Sequence, residues 1–215
     1  MSILEKIERK IPWFGFGNLN LYMVVIFLVG LMIDIVNPTY YYLYLSLNLD
    51  AVMSGQIYRL ITFIFYPPTS SYSLIMALLM IYVYYSITKT LILMWGNFKF
   101  NLYLFIGYIS QVIGAFILHF VFKNHSIIYP TYVTFSLIVA FALSFPNATF
   151  FIYFLIPIKA IYFAYFEIAV YFIMFLFTDI SGRVSIICGA VNIFVFFVLL
   201  KNKIWWISLR LKKLY

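Results

Sequence analysis

Side chains able to do chemistry are few in this chain of 215 residues, so each can be weighed singly. A serine hydroxyl is a nucleophile only beside a base that takes its proton. Ser136, within the apolar stretch that begins near Thr131, is one of several serines placed inside apolar runs. The only two histidines, His119 and His125, lie at the end of the preceding apolar stretch and in the loop beyond it. Cys188 is the single cysteine, which excludes an intramolecular disulfide and a cysteine-based metal centre. No metal site and no cofactor is expected. Glu167 falls in the middle of an apolar run, where a bare charge costs about 2.5 kcal/mol or more, so its carboxyl must be neutralised or paired. That makes it a candidate for proton or substrate binding, set against a plain structural contact. Asp34, near the outer end of an apolar run, can reach water and reads as structural. Gln111 and Asn192 can hydrogen-bond between helices, each contributing about 1 kcal/mol. Arg59 carries five donors and suits the bracing of loop carbonyls.

The elements that position these residues follow from composition. Hydrophobic residues make up 66% and charged residues only 9%, against about 25% charged in soluble domains. Mean hydropathy is +1.06. Too few polar side chains remain to coat a soluble surface, which excludes a soluble enzyme, a disordered tail and a nucleic-acid binder despite the net charge of +8. A membrane crossing needs about 20 apolar residues. Runs at 20–36, 72–94, 101–122, 131–146, 160–178 and 184–201 predict six crossings. The apolar piece between Pro146 and Pro157 is too short for a seventh and reads as a re-entrant or interfacial connector.

Charge orients the bundle. With the N-terminus inside, Lys6, Arg9, Lys10, Lys89, Lys99, Lys159, Lys201, Lys203, Arg210, Lys212 and Lys213 fall on one side. Only Arg59, Lys123 and Arg183 fall on the other, a positive-inside pattern that an odd number of crossings would scatter. The expected organisation is a cytoplasmic N-terminal segment (1–18), a six-helix membrane domain (19–201) and a basic, aromatic cytoplasmic tail (202–215). The charged start lacks a small-residue cleavage site and is not read as a removed signal peptide. The expected setting is a bacterial plasma membrane, both termini cytoplasmic, with the lipid bilayer as partner and no nucleic acid. Gly107, Ser110 and Gly114 in the third run, and Gly189 and Ala190 in the sixth, allow close helix packing.

The loop at about 37–71 is too long for a simple connection and is apolar, with Tyr40, Tyr41, Tyr42 and Tyr44, so it should lie in the headgroups or dip into the bilayer. Pro67-Pro68 closes it. Within it, Gly55-Gln56-Ile57-Tyr58-Arg59-Leu60-Ile61-Thr62 resembles the loop-one signature of the rhomboid superfamily, with Tyr58 where that family prefers Trp. Trp95-Gly96-Asn97 resembles the family's turn from span two to span three, and Phe145-Pro146 with Ile156-Pro157-Ile158-Lys159 resembles its later connector. Gly189-Ala190-Val191-Asn192 is similar to its span six. The resemblance implies an all-α integral membrane protein, a six-helix rhomboid-like bundle with a membrane-embedded loop after the first helix.

It also implies chemistry that this chain departs from. Active members place serine in Gly-Xaa-Ser-Gly on span four and histidine on span six. Here span four reads Thr131-Tyr132-Val133-Thr134-Phe135-Ser136-Leu137, without either glycine. Counted back from Phe145-Pro146, the family serine falls nearer Thr131. Span six has no histidine. The resemblance therefore implies a pseudoprotease that recognises transmembrane client segments or disturbs the bilayer locally. An intramembrane serine protease using Ser136 with an unusual base, and a small transporter using Glu167, are the alternatives. The transporter reading lacks the internal repeats expected of it.

Overall fold

The computed structural model describes the backbone of residues 3–66, 74–152 and 156–211, and the side chains of 6–66, 74–149 and 158–195. A short helix, α1 (Ile3–Lys10), and a 3-10 turn over Pro12–Gly15 precede the first long helix, α2 (Leu19–Val36). The following loop carries three short helices, α3 (Pro38–Tyr40), α4 (Leu49–Met53) and α5 (Arg59–Thr62). The longer helices α6 (Leu74–Trp95), α7 (Asn97–Phe120) and α8 (Thr131–Ser144) come next. A hairpin of β1 (Thr149–Ile152) and β2 (Ile156–Lys159) leads to α9 (Ala160–Phe177) and α10 (Ile180–Leu211).

Among the described residues, four helices, α2, α6, α7 and α9, are long and apolar enough to cross a membrane. Their outward faces are what lipid requires. On α2, Met23, Phe27, Gly30 and Leu31 form a buried stripe, while Leu21, Tyr22, Val25, Val29 and Met32 stand exposed. Exposed apolar rows on several helices would be a liability in water and match a hydrocarbon solvent. The inner face of α2 meets α6, where the Phe27 and Tyr84 rings pack edge to face at 4.9 Å.

Helix α8 is built the opposite way. At 14 residues it is about 21 Å long, short of the roughly 30 Å hydrocarbon core. Pro146 ends it, because the residue before a proline is driven out of the helical region, and Phe145 sits at φ −131°. It compensates by position. It packs against α6, α7, α9 and α10, and most of its residues, including Val133, Leu137, Val139 and Ala142, are buried. A helix walled by other helices need not match the bilayer thickness.

Several expectations are corrected here. The connector after α8 is an antiparallel hairpin pairing Thr149 with Lys159 and Ile152 with Ile156, a local departure within an otherwise all-helical bundle. Prolines at 146 and 157 exclude a helix there, whereas Thr, Phe and Ile favour extended backbone. Helix α7 starts at Asn97, four residues before the expected 101, and α10 starts at Ile180 rather than 184. The α10 helix continues to Leu211, running without interruption past position 201; residues 212–215 and Pro67-Pro68 lie outside the described residues. The N-terminal segment is docked: the Asn101 amide donates to the Phe14 and Phe16 carbonyls at 2.8 and 3.0 Å, and Phe14 packs on Phe98 and Phe105.

The α9–α10 turn is closed at both ends. The Asp179 carboxylate accepts from the Gly182 N–H (3.1 Å) and the Ser181 hydroxyl (2.5 Å), capping α10. Arg183 donates to the Phe175 and Leu176 carbonyls, the last orphan acceptors of α9. The Ser181 hydroxyl first, and then the Gly182 N–H, hold the Asp179 carboxyl below the usual carboxylate range.

Candidate functional site

Loop one is organised by a single cation. Arg59 is buried, and its guanidinium donates through Nε to Gln56 Oε1 (2.7 Å), through Nη1 to the Ser46 carbonyl (3.2 Å) and through Nη2 to the Leu43 carbonyl. The Tyr58 hydroxyl donates to the same Gln56 oxygen at 3.2 Å. Gln56, Tyr58 and Arg59 thus form one cluster that gathers the chain from 43 to 59. Thr62 donates to the Leu45 carbonyl (3.1 Å) and Tyr41 to the Phe63 carbonyl (2.9 Å). Burial keeps the Tyr41 hydroxyl well above the ordinary tyrosine range, so it remains a donor. Gly55 turns the loop at φ +106°, a conformation that suits glycine. One face of the loop, with Leu47, Leu49, Val52 and Phe63, packs into a small core with Ala115, Leu118 and Ile128. The other face exposes Leu43, Met53, Ile57 and Ile61.

Trp95 and Gly96 make the joint between α6 and α7. Trp95 is buried against the Tyr103 ring at 5.6 Å. Gly96 sits at φ +85°, ψ 159°, a region essentially restricted to glycine, and so lets two long helices meet across one residue. Asp34 is exposed near the end of α2 and joins neither cluster.

Ser136 lies in the bundle centre. Its hydroxyl donates to the Val133 carbonyl at 2.7 Å and accepts from the Tyr103 hydroxyl at 2.9 Å. Asn192 Nδ2 approaches the same oxygen at 3.4 Å. Neither histidine is a partner of Ser136; both face Asp50 instead. Gln111 is fully buried and donates to the Ser185 carbonyl at 3.3 Å. This polar seam is possible because α7 and α10 approach closely. A Cβ at Gly107 would lie 2.0 Å from Asn192 Nδ2, and one at Gly114 would lie 2.5 Å from Cys188 Sγ. Gly189 gives α10 the same access to α8, 2.7 Å from the Tyr132 Cβ. Ala190 is exposed and does not share in that packing, contrary to expectation.

Glu167 is separate from the seam. It lies on α9 in a cleft of about 390 Å³ between α8 and α9, walled by Tyr66, Tyr129, Tyr132, Phe135, Phe163, Phe166 and Met174. Tyr171 donates to Glu167 Oε1 at 3.4 Å, while Oε2 is buried without a hydrogen-bond partner among the described residues. The cleft is aromatic and apolar with a single acidic group inside. Sequence reasoning missed the tyrosines that wall it and the Tyr103 partner of Ser136. Nothing in hydropathy marks which tyrosines turn inward. It also missed the meeting of Asp50, His119 and His125, whose ligand atoms all lie within 4.8 Å of one another.

No family model matches the chain, nor does any curated protein or solved structure.

Proposed function

We propose that this chain is a multi-pass, rhomboid-like membrane protein without proteolytic chemistry, and that it receives an apolar transmembrane segment of a client in the α8–α9 cleft. The cleft carries the reading: about 390 Å³ of aromatic wall with one unsatisfied carboxyl oxygen, bordered by exposed Phe166 and Met174. An apolar helix would satisfy the wall, and a polar side chain on it would satisfy Glu167. The surroundings of Ser136 support the absence of proteolysis. Its proton is directed at a main-chain carbonyl, which cannot serve as a base, and its lone pairs are taken by Tyr103 and Asn192. The loop-one motif, ordered by Arg59, supports the rhomboid-like build. Six crossings with both termini inside is the arrangement that gathers eleven of the fourteen basic residues on one side.

Two measurements test this. A photo-crosslinker at Phe166 or Ile57 in native membranes should capture client proteins, whereas recovery of lipid alone refutes client recognition. A serine-directed fluorophosphonate should not label the protein, and labelling abolished by Ser136→Ala would establish the protease reading instead. The unpartnered Glu167 oxygen also favours a second reading, a small transporter. Unchanged flux in Glu167→Gln would remove it.

A further inference from the structure

Asp50 on α4, His119 at the end of α7 and His125 in the following loop converge where loop one meets the bundle. Both Asp50 oxygens stand 2.8 Å from His125 Nδ1, and Oδ1 stands 3.4 Å from His119 Nδ1. The two imidazole rings are edge to face at 5.1 Å. His119 Nδ1 is shielded from solvent and makes no hydrogen bond among the described residues, although it points at the carboxylate. Such a nitrogen is costly unless something binds it.

We infer that these three residues form a binding site for a divalent transition cation of the zinc type. Two imidazoles and one carboxylate are a borderline-hard set that suits Zn²⁺ and its first-row neighbours, and not Mg²⁺ or Ca²⁺. The spacing fits. With Zn–N and Zn–O bonds of about 2.0–2.2 Å, tetrahedral ligand atoms lie about 3.3 Å apart. The His119–Asp50 separation already has that value, and the His125–Asp50 contact need open only by about half an ångström. The fourth position faces water, since Asp50 and His125 are exposed, which leaves room for a solvent or client ligand. A bound ion would clip α4, and with it loop one, to the end of α7.

The test uses the full chain in detergent micelles, purified without a polyhistidine tag and stripped of metal. Titration with Zn²⁺ should show one equivalent bound per chain at micromolar concentration, and Co²⁺ should give the intense visible absorption of a tetrahedral ion. His119→Ala and His125→Ala should each weaken Zn²⁺ binding at least about tenfold. Zn²⁺ should slow hydrogen exchange of residues 49–53 in the parent and not in the variants. Should an alanine variant fail to fold, Asp50→Asn decides, since it keeps the size and a hydrogen-bonding group while removing the anionic ligand. Absence of stoichiometric binding, or binding of equal affinity in parent and variants, overturns the site.

Discussion

Arg59→Ala is the sharpest test of how loop one is held. The buried guanidinium serves three acceptors: the Ser46 carbonyl, the Leu43 carbonyl and Gln56 Oε1. A buried acceptor left unsatisfied costs about 1–3 kcal/mol. The Ser46 bond is buried and counts in full; those to Leu43 and Gln56 are partly buried, so water recovers a share of each. The sum is about 2–4 kcal/mol, by the same per-group cost. Gln56→Ala removes one of the three contacts and should cost about 1 kcal/mol. Arg59→Lys should fall between, because an ammonium cannot reproduce the fork that reaches several acceptors at once. Reversible unfolding in mixed micelles measures the free energies, and hydrogen exchange over residues 43–59 shows where the loss lies. An Arg59→Ala protein within about 0.5 kcal/mol of the parent, with unchanged exchange in that segment, would refute the bracing role.

The glycines of the seam should rank by how far their neighbours can yield. Gly189→Ala meets the Cβ and carbonyl of Tyr132, which move only with the helix, and should destabilise by about 1–3 kcal/mol. Gly114→Ala meets the end of the Cys188 side chain, which can rotate, and should cost less; equal losses in a thermal unfolding comparison would contradict the close α8–α10 approach. Asp179→Ala should cost about 1 kcal/mol through loss of the α10 cap, with Asp179→Asn retaining most of it. The folded-state pKa of Asp179 is depressed, so its contribution is present above the unfolded value near 3.9 and is lost as pH falls through the lower folded value. The stability gap between parent and Asp179→Ala should therefore narrow below about pH 4, and a gap unchanged there would sink this account.

What the sequence determines by itself is the solvent and the rough course of the chain. An apolar fraction of 66% with 9% charge requires lipid around the molecule, and the apolar runs locate the long helices to within a few residues, except that α10 runs ten residues past its predicted end. Those properties are local sums over neighbouring residues, so they are legible one segment at a time. The 149–159 hairpin was not, because short apolar runs between prolines suit a strand and an interfacial segment equally. The central place of α8 was not, because a 14-residue apolar helix reads like a shortened span until its neighbours are known. Nor were the Tyr103–Ser136–Asn192 seam, the choice of tyrosines walling Glu167, or the meeting of Asp50 with His125 across 75 residues. In helices apolar on every side, hydropathy carries almost no signal of rotation about the helix axis. Which polar groups meet is decided by that rotation and by how closely the helices approach, and here the approach is set by glycines at 107, 114 and 189 against partners far away in the chain.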